Sequence, residues 1–189
     1  MVAAVTTSVK ANQVSQIESE TAASARLREV YGPVASELEA VEHILRTELR
    51  SDYPSVDELV RYGCLLGGKR LRPVLLLLAG KCVGELNDDH LTLAAVVEMI
   101  HTATLVHDDV LDEADTRRHL ATVNSRWDSK ASVLLGDFLF THAFYLASTL
   151  ESTWACRAIG PATNICCEVE LRQKGTRGDF ALGQPVSTA

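Results

Sequence analysis

The stretch from Leu91 to Glu113 constrains this chain more than any other. It is apolar on nearly every side before His101, then ends in Asp108, Asp109 and Asp112. A helix that is apolar all round has to be covered by neighbours. A helix end carrying three carboxylates has to meet water or a cation. Asp108 and Asp112 are four residues apart, so they share a helical face, and His101 falls on the same stripe seven residues before Asp108. Like charges at that spacing destabilise a bare helix, so something positive should offset them.

The rest of the chain also reads as helices. Leu27 to Arg50 places Leu27, Val30, Val34, Leu38, Val41, Leu45 and Leu49 three or four apart, with Gly32-Pro33 as an irregularity near its start. After a turn at residues 51–54, Ser55 with Glu58 forms a capping box for a short helix to about Leu66, stopped by Gly67-Gly68. Arg72-Pro73 opens a helix that ends near Gly84. Asp88 or Asp89 caps the long helix. Ala114 to Thr122 reads as a loop, followed by helices over Ser129–Leu150 and Trp154–Lys174. No run shows the alternation of a half-buried strand. The expected fold is all-α, with antiparallel helical neighbours. Phe138, Phe140, Phe144 and Tyr145 read as core, and Trp127 and Trp154 as packing residues.

Composition narrows the function. Among 189 residues, 18 basic against 25 acidic side chains leave a net charge of −7, which argues against general nucleic-acid binding. The five cysteines are odd in number and irregularly spaced, as expected for reduced, buried thiols. No span of membrane length is expected, since the longest uninterrupted apolar run covers only residues 73–80. Residues 1–24 lack the apolar centre of a secretory signal and read as a disordered tail. A cytoplasmic protein is the expectation.

Paired carboxylates near a helix end suit a hard divalent cation, and Mg2+ is the natural choice because it keeps sites for phosphate oxygens. A solvated acidic helix end is the competing reading, since Glu113 and Asp115 follow. Two basic clusters favour the metal. Gly67-Gly68-Lys69-Arg70-Leu71-Arg72-Pro73 puts three cations at a helix start after two glycines, and Arg117-Arg118 lies just beyond Asp112. Free backbone N–H groups and fixed cations make an anion site. The combination reads as a site for a polyanion plus a metal.

These segments resemble the trans-isoprenyl diphosphate synthases, or polyprenyl synthetases. The resemblance rests on Gly-Gly-Lys-Arg-Leu-Arg-Pro at 67–73, Ile-His-Thr-Ala-Thr-Leu-Val-His-Asp-Asp-Val-Leu-Asp at 100–112, and Arg117-Arg118. Gly136-Asp137-Phe138-Leu139 and Glu168-Val-Glu-Leu-Arg-Gln173 also match. It implies an all-α prenyltransferase fold around a central cavity. The implied reaction condenses isopentenyl diphosphate with an allylic diphosphate. Carried over, Asp108 and Asp112 are Mg2+ ligands with Asp109 in support. Lys69, Arg72 and His101 form the isopentenyl diphosphate site. Arg117 contacts the allylic diphosphate and Arg118 the isopentenyl diphosphate. The small residues Ala103 and Thr104 leave the floor below the aspartates open, as in long-chain synthases, with the geometry firmer for Thr104.

The resemblance also implies that residues 25–189 form the N-terminal part of a longer synthase domain. The second aspartate-rich motif and a further lysine of relatives have no counterpart here, and Val169 stands where relatives usually have Gly. The helices over Ser129–Leu150 and Trp154–Lys174 are then expected to expose apolar faces. The expected partners are the two diphosphate substrates and either a second copy in a homodimer or a complementary synthase chain. A non-catalytic or split subunit is the alternative.

Overall fold

The computed structural model describes residues 29–65 and 68–176. The expected tail over 1–24, Gly67, and the chain from 177 to 189 lie outside the described residues. The helices are α1 (Ala35–Glu48), α2 (Pro54–Leu65), α3 (Leu71–Val83), α4 (Asp88–Leu111), α5 (Val123–Arg126), α6 (Ser129–Ser148) and α7 (Trp154–Thr176). A short 3-10 helix, Gly32–Val34, precedes α1 where Gly32-Pro33 predicts an irregularity. The all-α expectation holds. Among the described residues, the strand pairing is confined to β1 (Thr116–Arg117) and β2 (Leu120–Ala121), which turn the expected loop into a small antiparallel hairpin.

Helix α4 is the axis of the molecule. Ala94, Ala95, Val96, Met99, Ala103 and Val106 are buried along it, and its three alanines let neighbouring helices approach closely. Helix α6 lies against it with Ser132, Leu135, Gly136, Leu139, Ala143 and Ala147 buried. The Ser132 hydroxyl donates to the Val106 carbonyl at 3.4 Å, which pairs the start of α6 with the end of α4. The two helices are therefore antiparallel. Val74 and Leu77 of α3 and Val41 and Leu45 of α1 complete the same core.

Several local expectations are corrected. Helix α4 begins at Asp88 and its cap is Asn87, whose side-chain oxygen accepts from the His90 N–H at 3.3 Å while the His90 ring returns to the Asn87 N–H. Asn87 satisfies the first turn from outside, so Asp88 and Asp89 fall inside it, where their charge favours the helix N-terminus. Helix α2 begins at Pro54, one residue ahead of the expected Ser55 cap. Glu58 pairs with Arg126 at 3.2 Å instead of closing a box. Tyr145 and Trp154 are exposed, at 60% and 70%, and not core. Cys82, Cys166 and Cys167 are exposed free thiols; Cys64 and Cys156 are partly buried. Helix α6 is long and apolar enough to cross a membrane by length and composition. Counting only uninterrupted apolar runs passes over it, and one of its faces is packed on α4.

The expected uncovered faces are present. Helix α7 buries only Ala155, while Ile165, Val169 and Leu171 are at least half exposed. Val133 and Leu134 are exposed on α6.

Candidate functional site

The first turn of α3 is entered through Arg70, which stands in the left-handed backbone region at φ 52°. This costs a non-glycine residue about 1–2 kcal/mol, and a dense set of contacts holds it. Arg70 Nη1 donates to Glu98 Oε1 at 3.0 Å, and its Nε and Nη2 engage the two oxygens of Glu42. The Tyr31 hydroxyl donates to the Lys69 carbonyl at 2.6 Å. Three elements thus fasten one turn.

Beyond this turn lies a cleft of about 360 Å³ lined by Gly68, Lys69, Arg70, Leu71, Arg72, Glu98, His101 and Arg118. Four of the five predicted diphosphate-binding residues meet here: Lys69, Arg72, His101 and Arg118. Gly68 lets the Arg118 guanidinium lie against the backbone, since a Cβ there would stand 2.4 Å from Arg118 Nη2 and push that side chain aside. Arg118 and His119 form the hairpin turn with φ of 52° and 67°. A two-residue hairpin asks for positive φ at both central positions, and here two non-glycine residues supply it. Burial holds the His101 ring below its ordinary pKa range, with Arg72, Arg118 and Arg117 adding to the effect against Glu98. His101 is therefore neutral at physiological pH, with one ring N–H to donate.

Arg117 separates from its neighbour Arg118. Its Nε donates to both oxygens of Asp109, at 2.9 and 3.1 Å, and its Nη2 lies 2.8 Å from Asp109 Oδ1. Asp109 is 2% exposed. Its carboxylate is thus committed to Arg117, while Asp108 and Asp112 stand outside that pair. The charges of Asp108 and Asp112 also reach the Arg117 guanidinium, whose pKa is raised first by its bond to Asp109.

Asp108 is half-buried and Asp112 exposed, one helical turn apart, with the Asp112 N–H donating to the Asp108 carbonyl at 2.8 Å. The Asp108 carboxyl is pushed above its usual range, first by burial and then by the charges of Glu170 on α7 and Asp112. Three carboxylates therefore repel one another across the α4–α7 gap. Among the described residues no group of three or more His, Cys, Asp or Glu side chains is arranged around one metal position. Arg117 offsets part of this repulsion, and two hard oxygen donors one turn apart fit Mg2+, which binds through one or two carboxylates and takes its other oxygens from water or phosphate.

The two small residues below the aspartates go different ways. Ala103 is fully buried in the core. Thr104 is half-buried, and its hydroxyl donates to the His101 carbonyl at 2.8 Å. Thr104 belongs to a half-exposed stripe with Leu93, Val97, His101, Leu105 and Asp108. At 1.5 Å per residue this stripe runs about 22 Å from Asp108 to Leu93. There it meets an apolar cleft of about 670 Å³ lined by Leu76, Val83, Leu93, Leu150, Trp154 and Ala155, among others.

The family model described as polyprenyl synthetase matches residues 53–183. The chain belongs to the polyprenyl synthetase family. It is 41% identical over 139 residues to the octaprenyl diphosphate synthase of Escherichia coli K12, covering 74% of this chain and 43% of that enzyme. A crystal structure of a decaprenyl diphosphate synthase from Rhodobacter capsulatus superposes with a TM-score of 0.78 at 37% identity, covering 82% of this chain and 48% of that one. A polyprenyl synthase from Caulobacter crescentus CB15, solved with calcium and isoprenyl diphosphate, gives 0.78 at 34% identity, covering 84% and 48%. The chain thus spans about half the length of the relatives it matches.

Sequence reasoning missed three site features. Arg70 and Glu98 were not singled out, although an acid inside the otherwise apolar run ahead of His101 calls for a buried cation. Glu170 lay within a quoted motif without a role. His107 packs its ring on Gly136, where a Cβ would stand 2.2 Å from Nε2, and that nitrogen lies 3.1 Å from the Val133 carbonyl. The pairing of His107 with glycine across two helices leaves no trace in local sequence.

Proposed function

We propose that this chain forms the isopentenyl diphosphate site and the first metal site of a long-chain polyprenyl diphosphate synthase. The reaction joins isopentenyl diphosphate to an allylic diphosphate with loss of diphosphate. The observation that carries this reading is that Lys69, Arg72 and Arg118 meet in one cleft around His101, on the same stripe of α4 that carries Asp108.

Lys69, Arg72 and Arg118 hold the isopentenyl diphosphate, the arginines through bidentate forks and the lysine as a point charge. His101, neutral, donates a hydrogen bond. Asp108 and Asp112 hold Mg2+, and Asp109 keeps Arg117 oriented toward the allylic diphosphate. Bound Mg2+ neutralises charge building on the departing diphosphate. The stripe past Thr104 offers apolar surface that keeps water from an allylic cation and runs on toward the 670 Å³ cleft. No Phe, Tyr or Trp stands on it between Asp108 and Leu93, which supports a long product. Thr104→Phe should shorten the product, read by chromatography of the dephosphorylated alcohols.

Five free thiols support a reducing, cytoplasmic setting. The exposed Ile165, Val169 and Leu171 on α7 support cover by further synthase helices. Asp108 and Asp112 support a catalytic over a non-catalytic role. The test is incubation with Mg2+, labelled isopentenyl diphosphate and farnesyl diphosphate, alone and with a complementary synthase chain, beside Asp108→Ala. Butanol-extractable product that disappears in the variant supports the reading. Failure of the folded chain to bind isopentenyl diphosphate sinks it.

A further inference from the structure

A buried carboxylate lines the cationic cleft. Glu98 is 3% exposed, sits one turn before His101 on α4, and shares the cleft wall with Lys69, Arg72 and Arg118. A negative charge in a poorly solvated pocket repels a diphosphate strongly. The group that answers it is Arg70, 3.0 Å from Glu98 Oε1. The rest of that guanidinium is engaged with Glu42 of α1 through Nε and Nη2. Glu42 in turn lines a separate cleft with Arg46, Arg50 and Arg61.

The backbone makes Arg70 matter twice. Its left-handed conformation lies between Lys69 and Arg72, so the directions of both binding side chains depend on that turn. Each guanidinium nitrogen of Arg70 makes a bond to a carboxylate, so its charge is spent first on Glu42 and Glu98.

We propose that Arg70 is a positioning residue of the cleft: it takes no diphosphate itself, cancels the charge of Glu98, and locks the left-handed turn that aims Lys69 and Arg72. This rests on the reading of the cleft as a diphosphate site.

The test is calorimetric titration of the metal-free chain with inorganic pyrophosphate. Wild type is compared with Arg72→Ala, Arg70→Met, Glu98→Gln and the Arg70→Met/Glu98→Gln double variant, each checked for fold by circular dichroism. Arg72→Ala weakens binding as a direct contact. Arg70→Met should weaken it about tenfold, by loss of a charge-assisted contact. Glu98→Gln alone should tighten it severalfold, and the double variant should regain most of the loss. Glu98→Gln removes a negative charge from the cleft wall whatever Arg70 does, so the recovery in the double variant is the readout specific to Arg70. An unchanged affinity in Arg70→Met, a double variant no better than the single, or weaker binding in Glu98→Gln overturns the inference while the cleft reading stands. Wild type that binds no pyrophosphate overturns both. If Arg70→Met does not fold, Arg70→Lys, which keeps a charge against Glu98, takes its place: binding weakened less than in Arg72→Ala supports the inference, and binding as weak as in Arg72→Ala overturns it.

Discussion

The two halves of the site are balanced in opposite ways. In the cationic cleft, Glu98 and Arg70 answer each other, and Lys69, Arg72 and Arg118 present their charge around a turn fastened from three sides. At the end of α4 the balance is incomplete. Asp109 has Arg117, but Asp108 faces Asp112 and Glu170, which raise its pKa after burial has done so. One region is complete without a ligand and the other is held in repulsion until a cation arrives. The contrast explains why the residues are adjacent in sequence yet diverge in space. Arg117 and Arg118 alternate sides at a strand end, one joining each region. Under the proposed function it also assigns an order: the anion cleft would be prepared by the fold and the metal pair by charge.

The largest expected effect comes from breaking the buried pair between the regions. Arg117→Met leaves the carboxyl of Asp109, 2% exposed, without its ion-pair partner, which should cost about 3–5 kcal/mol, measured by urea unfolding. A loss below ~1 kcal/mol would mean that Asp109 is not held by Arg117. Next comes Gly136→Ala, which drives a methyl into the His107 ring and should cost about 1–3 kcal/mol. Pairing it with His107→Ala should recover much of that loss, and no recovery would place the strain elsewhere.

The smallest effect has the sharpest sign. The folded pKa of Asp108 is raised, so the folded state holds the proton more tightly than the unfolded chain does. Stability from this group is full below the unfolded carboxylate range and is lost as pH rises through the folded value. Asp108→Asn should therefore stabilise the metal-free chain at neutral pH by about 0.2–0.5 kcal/mol, the scale of a like-charge pair one turn apart. The gain should vanish at acid pH. Added Mg2+ should raise the melting temperature of the wild type and not of Asp108→Asn. A variant less stable than wild type at neutral pH would deny the repulsion.

Much of this was legible in advance. Three-and-four spacing of Val41 and Leu45 reported α1, and the apolar run ahead of Asp108 reported the central helix, because burial in a helical protein leaves that period in the chain. The convergence of Lys69, Arg72, His101 and Arg118 was reached through family resemblance, since residues 69 and 118 are joined only by tertiary folding. The hairpin was not legible: Arg118 and His119 adopt positive φ without glycine, so the usual turn signal is missing. The α4 cap falls one or two residues before the expected Asp88 or Asp89 because Asn87, Asp88 and Asp89 are all competent caps, and only the backbone chooses among them. Arg70 was hidden among cations, where composition cannot tell the residue that binds from the one that supports.

The central claim is that the diphosphate cleft stands ready without the metal. Its most direct test is titration of the metal-free chain with isopentenyl diphosphate, in wild type, Arg72→Ala and Asp108→Ala. The account predicts binding without added Mg2+, about tenfold weaker in Arg72→Ala and unchanged in Asp108→Ala. Binding that appears only with Mg2+, or that is lost with Asp108, would contradict it.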